Sequence, residues 1–126
     1  VGLRRPLYCT GVGKAILSTL PRAEVEEIWR QSQPRKLTEH TITDLNGLLS
    51  QLAQVRTRGY AIDDEENEPG IRCVALAIPG PGGRADSAFS ISGMAPYMTP
   101  DRVGRIAQLA LETRADILHD LGLAGH

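Results

Sequence analysis

The chain is poor in the residues that mark several common classes of binding protein. Aromatic residues make up only 4% of its 126 residues, which argues against a surface on which nucleic-acid bases stack. Its 14 lysines and arginines are balanced by 15 aspartates and glutamates, giving a formal net charge of −1. Because a DNA-binding module usually carries a basic patch, this balance argues against one in this chain.

Cysteines and long apolar stretches are also scarce. Cys9 and Cys73 are too few for a disulfide framework, and they predict free thiols in a reducing, cytoplasmic compartment. No apolar run approaches the roughly 20 residues of a membrane span, and no signal peptide opens the chain, so we expect no membrane partner. The first residue is Val1, from which we expect a piece of a longer protein.

What the chain does contain is a succession of amphipathic segments suited to one domain. Apolar spacing predicts helices over residues 11–20, 22–31, 45–58 and from 100 to about 118. N-cap residues precede three of them: Thr10, Asp44 and Thr99. Alternation predicts strands over 60–63, 71–78 and 86–93, the last two joined by a turn at 79–83. The fold class is therefore α+β with an antiparallel hairpin. Because sheets typically have about 4–6 strands, we expect further strands from the N-terminal side or from another copy.

Alternation along the hairpin separates small polar side chains from large apolar ones. One face carries Ile71, Cys73, Ala75, Ala88, Ser90 and Ser92; the other carries Val74, Leu76, Ile78, Phe89 and Ile91. The apolar face suits packing against helices. The opposite face leaves room for a ligand and supplies hydrogen-bonding groups, although Ser90 and Ser92 facing solvent is an equally good interpretation.

The segment Thr-Gly-Val-Gly-Lys-Ala, residues 10–15, predicts a glycine turn that leads into the first helix. Such a turn directs the backbone N–H groups of Gly11, Val12 and Gly13 at whatever lies in front of it, which suits an anion. Lys14 could pair with a bound carboxylate. We expect it to be solvated instead, as lysines in the first turn of a helix usually are.

A run of acids, Asp63 to Glu66 with Glu68, follows the predicted strand 60–63. Carboxylates can hold a hard cation, but their spacing does not match the calcium-binding loop. We therefore expect no metal, and predict a solvated loop with an ion pair to Arg72. Asp63 ends the strand and is the acid best placed to reach inward.

Cys73 is the one candidate nucleophile that the pattern offers, and it would need a histidine nearby. His40, His119 and His126 stand in no catalytic motif. A small thiol-dependent enzyme is therefore an alternative to the binding role, and we predict neither catalysis nor a cofactor.

Six short motifs occur in the order and spacing of one protein family, from about Leu7 to Leu121. They are T-G-x-G-K-A, T-x-T-D, R-x-R-G-Y-A-x-D-D-E-E, E-P-G-x-R-C, S-x-S-G and M-T-P-D-R. Each is weak singly, but their joint order is specific. On these motifs the chain resembles the C-terminal effector-binding domain of the isocitrate lyase regulator (IclR) family of bacterial transcription factors.

The resemblance implies a GAF-like fold, an antiparallel sheet flanked by helices, here without its N-terminal strands and without the family's winged helix-turn-helix. It implies an effector-sensing role in transcriptional control, with a small organic or aromatic acid as ligand. It also implies a homodimer or homotetramer that contacts DNA only through the domain absent from this chain. A pure dimerisation module with an empty pocket is a further alternative. Carried over by motif, the effector-binding residues are Gly11, Val12, Gly13, Asp63, Ile71, Cys73, Ser90 and Ser92.

Overall fold

The computed structural model describes residues 8–122, except for the side chain of Asp86. Within that range the α-helices are α1 (Gly11–Leu17), α2 (Arg22–Ser32), α3 (Leu45–Arg58) and α4 (Pro100–Asp120). The strands are β1 (Ala61–Asp64), β2 (Ile71–Pro79) and β3 (Ala85–Met94). Short 3₁₀ helices at Pro81–Gly83 and Ala95–Tyr97 flank β3. The predicted α+β class and the order of its elements are confirmed.

Three helices begin at the side-chain caps that the sequence predicts. The side chains of Thr10, Asp44 and Thr99 each accept a hydrogen bond from the backbone N–H three residues later, at 3.1, 2.8 and 3.4 Å. At the other end of α3, Gly59 has φ of 94°, and its N–H donates to Val55 O at 2.7 Å. Glycine adopts this left-handed conformation without a steric penalty, which explains why the helix ends there.

Helix α1 ends three residues earlier than predicted. The N–H groups of Thr19 and Leu20 donate to Ile16 O and Leu17 O, three residues back instead of four. This tighter bonding closes the α-helix in a turn. Pro21 is the N-cap of α2.

The three strands form an antiparallel sheet in the order β1-β2-β3 within residues 8–122. Cys73 on β2 lies opposite Asp63 on β1 and Ser92 on β3. One step along β2, in the same face, Ala75 lies opposite Ala61 and Ser90. The register therefore confirms the division of the hairpin into a small polar face and a large apolar face.

Each face of the sheet is covered by a different helix. On the apolar face, Val74 and Leu76 pack with Val103, Ala107 and Ala110 of α4. On the opposite face, Ala15 of α1 packs against the alanines of β1 and β2, which are small enough to let the helix approach closely. Helices α2 and α3 then pack outside α1, around Leu17, Val25, Leu48 and Leu52. None of the helices in residues 8–122 is both long and apolar enough to cross a bilayer.

Candidate functional site

The glycine turn that begins α1 lies directly on strand β2. A Cβ atom built on Gly11 would lie 2.5 Å from Cys73 Sγ and 3.0 Å from the Cβ atom of Ala75. The first distance is too short for any side chain, so glycine at this position is what allows the helix to approach the sheet. The same Cβ would lie 3.8 Å from Asp63 Cβ. Gly11, Asp63 and Cys73, predicted from separate motifs, therefore meet at one place.

The candidate site has a buried wall and an open rim. Asp63 and Cys73 are only 7% and 6% exposed, whereas Ser90 and Ser92 on β3 are exposed. Ile71, half-buried, continues the same face towards the end of the hairpin. A ligand that contacted Cys73 would therefore enter from the side of β3, where the two serine hydroxyls are available.

One amide of the glycine turn already has a hydrogen-bond acceptor within the protein. The Gly13 N–H donates to the Thr10 side-chain oxygen at 3.1 Å. An anion at this turn would have to share this donor, so the turn offers less free hydrogen bonding than its sequence predicts. Val12 is half-buried beside Gly13.

The environment of Cys73 does not activate its thiol. Burial, and next the negative charge of Asp63, raise the pKa of the Cys73 thiol. A thiol with a raised pKa is a poor nucleophile at neutral pH. His40 and His119 are exposed and are not among the groups that act on the sulfur, and His126 lies outside the described residues.

The expectation that Lys14 is solvated is wrong. Its side chain is 1% exposed, and its ammonium group donates to Glu66 Oε2 at 2.7 Å, to Gln51 Oε1 at 2.8 Å and to Ile62 O. An ammonium group has three donors, and all three are used here. Lys14 therefore ties α1 to α3 and to the acidic segment, and has no donor left for a bound carboxylate.

The acidic run is only partly the solvated loop that the sequence predicts. Asp64 is exposed and forms the predicted ion pair with Arg72, at 2.8 Å. Glu66, by contrast, is 3% exposed, and its N–H donates to Asp63 Oδ1 at 2.9 Å. The Thr41 hydroxyl donates to the Glu66 carbonyl and fixes the segment from the other side. Among the described residues no cluster of three or more acids, histidines and cysteines is placed to hold a metal ion.

Two buried carboxyl groups, Asp63 and Glu66, lie close to the buried ammonium group of Lys14, which forms an ion pair with Glu66. Burial raises the pKa of both acids, and the positive charge of Lys14 only partly offsets that effect. Glu66 Oε1 is buried and has no hydrogen-bond partner among the described residues. The cluster therefore favours uptake of a proton by the folded chain.

We expect this cluster to make the fold less stable as pH rises above the ordinary pKa values of its two acids. The folded-state pKa of both acids lies above the ordinary values of 3.8 and 4.5. At a pH between the unfolded-state and the folded-state pKa of each acid, the folded chain therefore binds more protons than the unfolded chain. The free energy of unfolding contributed by these groups then falls as pH rises through that window. Urea unfolding at a series of pH values measures the slope.

Asp63→Asn should flatten that slope, because it removes one of the two titrating groups. Asp64→Asn is the matched control, since Asp64 is exposed and paired with Arg72. If the Asp63→Asn and wild-type chains show the same pH dependence, Asp63 does not contribute to the effect.

Comparison with known proteins identifies the family. The family model described as "Bacterial transcriptional regulator IclR C-terminal" matches residues 1–119. The chain belongs to the IclR family of bacterial transcriptional regulators. Among its IclR relatives is the HTH-type transcriptional repressor AllR of Klebsiella pneumoniae, 39% identical over 123 residues. That match covers 98% of this chain and 45% of the repressor, so the chain spans less than half the length of this relative.

Solved IclR structures share the fold described above. The C-terminal domain of the Escherichia coli regulator KdgR has a TM-score of 0.82 and 36% identity, over 90% of this chain and 69% of that one. A double mutant of the Acinetobacter PobR inducer-binding domain, in complex with 3-hydroxybenzoic acid, has a TM-score of 0.83 and 28% identity. It is matched over 96% of this chain and 69% of its own. The resemblance stated from the six motifs is thus confirmed, for the family and for its effector-domain fold.

Proposed function

We propose that this IclR domain senses a small organic acid, and that ligand binding controls a DNA-binding domain elsewhere in the same cytoplasmic protein. The observation that carries the proposal is the approach of the glycine turn to Cys73, which brings Gly11, Asp63, Cys73 and Ser92 together beside an open rim. The likeness to PobR supports an acid, aromatic acids included, because that inducer-binding domain was solved with 3-hydroxybenzoic acid.

The contacts suggest a role for each residue of the proposed site. Ser90 and Ser92 would donate hydrogen bonds to the acid, Cys73 and Ile71 would form the less polar wall, and Asp63 would accept from a ligand hydroxyl or a water. Gly11, Val12 and Gly13 would add their amides and the dipole of the turn. Because the Gly13 N–H already donates to Thr10 and the Lys14 ammonium group is buried in its ion pair with Glu66, the two serine hydroxyls would carry most of the recognition.

Replacing both serines with alanine, Ser90→Ala with Ser92→Ala, should weaken acid binding by about 1–3 kcal/mol through lost hydrogen bonds. Isothermal titration with the tightest-binding acid of a screened panel measures the difference. Ser87→Ala is the matched control, because Ser87 is exposed on the same strand and alternates to the opposite face. Equal affinities of the double variant and the wild-type chain would remove the serines from the site.

A regulator, and not an enzyme, is the class to which its relatives belong, since the AllR proteins are transcriptional repressors. The raised pKa of Cys73 supports the same choice over a thiol-dependent enzyme. The proposal therefore contains no catalytic step and no cofactor.

We also propose that the domain self-associates, as a homodimer or homotetramer. Within residues 8–122 the outer edge of β3 has no partner strand, and an unpaired edge favours pairing with another chain. Next to it, Leu109 of α4 is 62% exposed beside Phe89 and Ile91 of β3. An apolar surface of this kind is typical of a protein contact.

A further inference from the structure

A second cavity lies at the far end of helix α1 from the candidate effector site. It has a volume of about 370 Å³ and is bounded by Ser18 and Thr19 after α1, by the end of α3, and by Ala77 on β2. Ala77 is four residues from Cys73 along β2, which is roughly 13 Å in an extended strand. The two sites therefore lie under opposite ends of helix α1. None of the residues assigned to the effector site lines the second cavity.

Two guanidinium groups line this cavity, and no described carboxylate neutralises them. Arg56 Nη1 donates to Ser18 O at 3.4 Å, and Arg114 Nη1 donates to Gly59 O at 3.3 Å. Neither arginine forms a salt bridge with a described side chain, whereas Arg72 and Arg84 each do. The cavity thus holds two positive charges with only backbone carbonyls as partners.

Arg114 is partly buried, so leaving its positive charge without an opposite charge is unfavourable. It lies partly buried against Gly59, and burial lowers the pKa of its guanidinium, so the charged form is incompletely solvated. A partly buried charge is stabilised when an opposite charge accepts its hydrogen bonds. An anion in the cavity would supply that charge, and the buried side chains of Val55 and Ala77 would contact any apolar part of the same molecule.

We propose that this cavity binds a small oxyanion, either a free phosphate or a phosphate or carboxylate group on a small organic molecule, between Arg56 and Arg114. Guanidinium groups match both oxyanions because their planar N–H donors form paired hydrogen bonds with two oxygens. The volume of about 370 Å³ exceeds what one phosphate fills and leaves room for a small organic body. The proposal is independent of the effector site.

The test is titration of the 126-residue chain with inorganic phosphate, phenyl phosphate and succinate at low ionic strength, followed by backbone amide chemical shifts. We expect saturable shifts at Ser18, Thr19 and Gly59. Arg56→Gln should weaken phosphate binding about tenfold, the loss expected for a charge-assisted hydrogen bond. Tighter binding of phenyl phosphate than of phosphate would identify the source as an organic ester, and the reverse order would identify the free ion.

Two control variants make the result decisive. Arg30→Gln removes a surface arginine that pairs with Glu27 and should leave phosphate binding unchanged. The Ser90→Ala, Ser92→Ala chain should also keep it, which separates this site from the effector site. Arg56 is exposed, so its variant should fold even if Arg114→Gln, which loses the bond to Gly59, does not. An absence of saturable binding by all three anions, or an equal loss in Arg30→Gln, would overturn the proposal.

Discussion

Lys14→Met is expected to lower the free energy of unfolding by about 3–5 kcal/mol, the loss found when one partner of a buried ion pair is removed. The ammonium group makes three hydrogen bonds, to Glu66, Gln51 and Ile62 O. Without it, Glu66 would remain buried beside Asp63 with no positive charge in contact. Because Glu66 can take up a proton at acid pH, the loss should be largest at neutral pH and above. Urea unfolding at two pH values measures both the loss of stability and its dependence on pH.

The chain offers a matched control in Lys36, which is exposed. Lys36→Met should change the unfolding free energy by less than about 0.5 kcal/mol, as surface substitutions do. Adding Glu66→Leu to Lys14→Met should recover part of the loss, since replacing both members of a buried pair is far less costly than replacing one. A Lys14→Met chain as stable as the Lys36→Met chain would contradict the buried pair.

Gly11→Val is expected to destabilise the fold by about 1–3 kcal/mol, the usual cost of forcing extra atoms into a packed interior. It should also abolish acid binding. Even the first added carbon would lie 2.5 Å from Cys73 Sγ, so α1 would have to move off β2. That movement separates the glycine turn from Asp63 and Cys73, which together form the proposed site. Thermal unfolding and isothermal titration measure the two effects.

Two further variants test whether the close approach of Gly11 to Cys73 is the cause of the expected losses in stability and binding. Cys73→Ala in the Gly11→Val background removes the sulfur and should restore part of the lost stability. Gly104→Ala, at an exposed position of α4 with no other atom within 4 Å of the added carbon, should instead stabilise the helix by up to about 1 kcal/mol. If Gly11→Val is as stable as wild type and binds the acid equally well, α1 does not lie on β2 as described.

The features that sequence predicts correctly are those whose cause is local. Thr10, Asp44 and Thr99 cap helices through a backbone N–H three residues away, and Gly59 ends α3 through its own backbone angle. The faces of the hairpin follow from alternation, which holds from Ile71 to Ile78 because the one register shift in the pairing lies beside the turn, between Ile78 and Pro79. These signals lie within a few residues of their effect, and nothing distant overrides them.

The features that sequence could not predict depend on partners far along the chain. Lys14 has the local pattern of a solvated lysine, and it is buried because Gln51 and Glu66, 37 and 52 residues away, accept hydrogen bonds from its ammonium group. The residue types of the acidic run are uniformly polar and do not distinguish its buried acids from its exposed ones. Only the fold separates exposed Asp64, which reaches Arg72, from buried Glu66, whose carbonyl is held by Thr41.

The candidate site falls between these cases. Its residues came from separate motifs, and the register brings Asp63, Cys73 and Ser92 into one row while Gly11 lies over it. The occupied amide of Gly13 follows from the Thr10 cap, which the sequence predicts. The close approach of the turn to the sheet could not have been predicted, because it depends on β2 residues far along the chain.

Backbone amide chemical-shift mapping with a panel of small aliphatic and aromatic carboxylic acids tests the central claim most directly. If the domain senses a small organic acid at the proposed site, at least one acid will give saturable shifts at Gly11, Asp63, Cys73 and Ser92. Those shifts will disappear in the Gly11→Val chain. If no acid of the panel gives saturable shifts at these residues, or if the shifts fall only around Arg56 and Arg114, the site is not an effector site and the account is wrong.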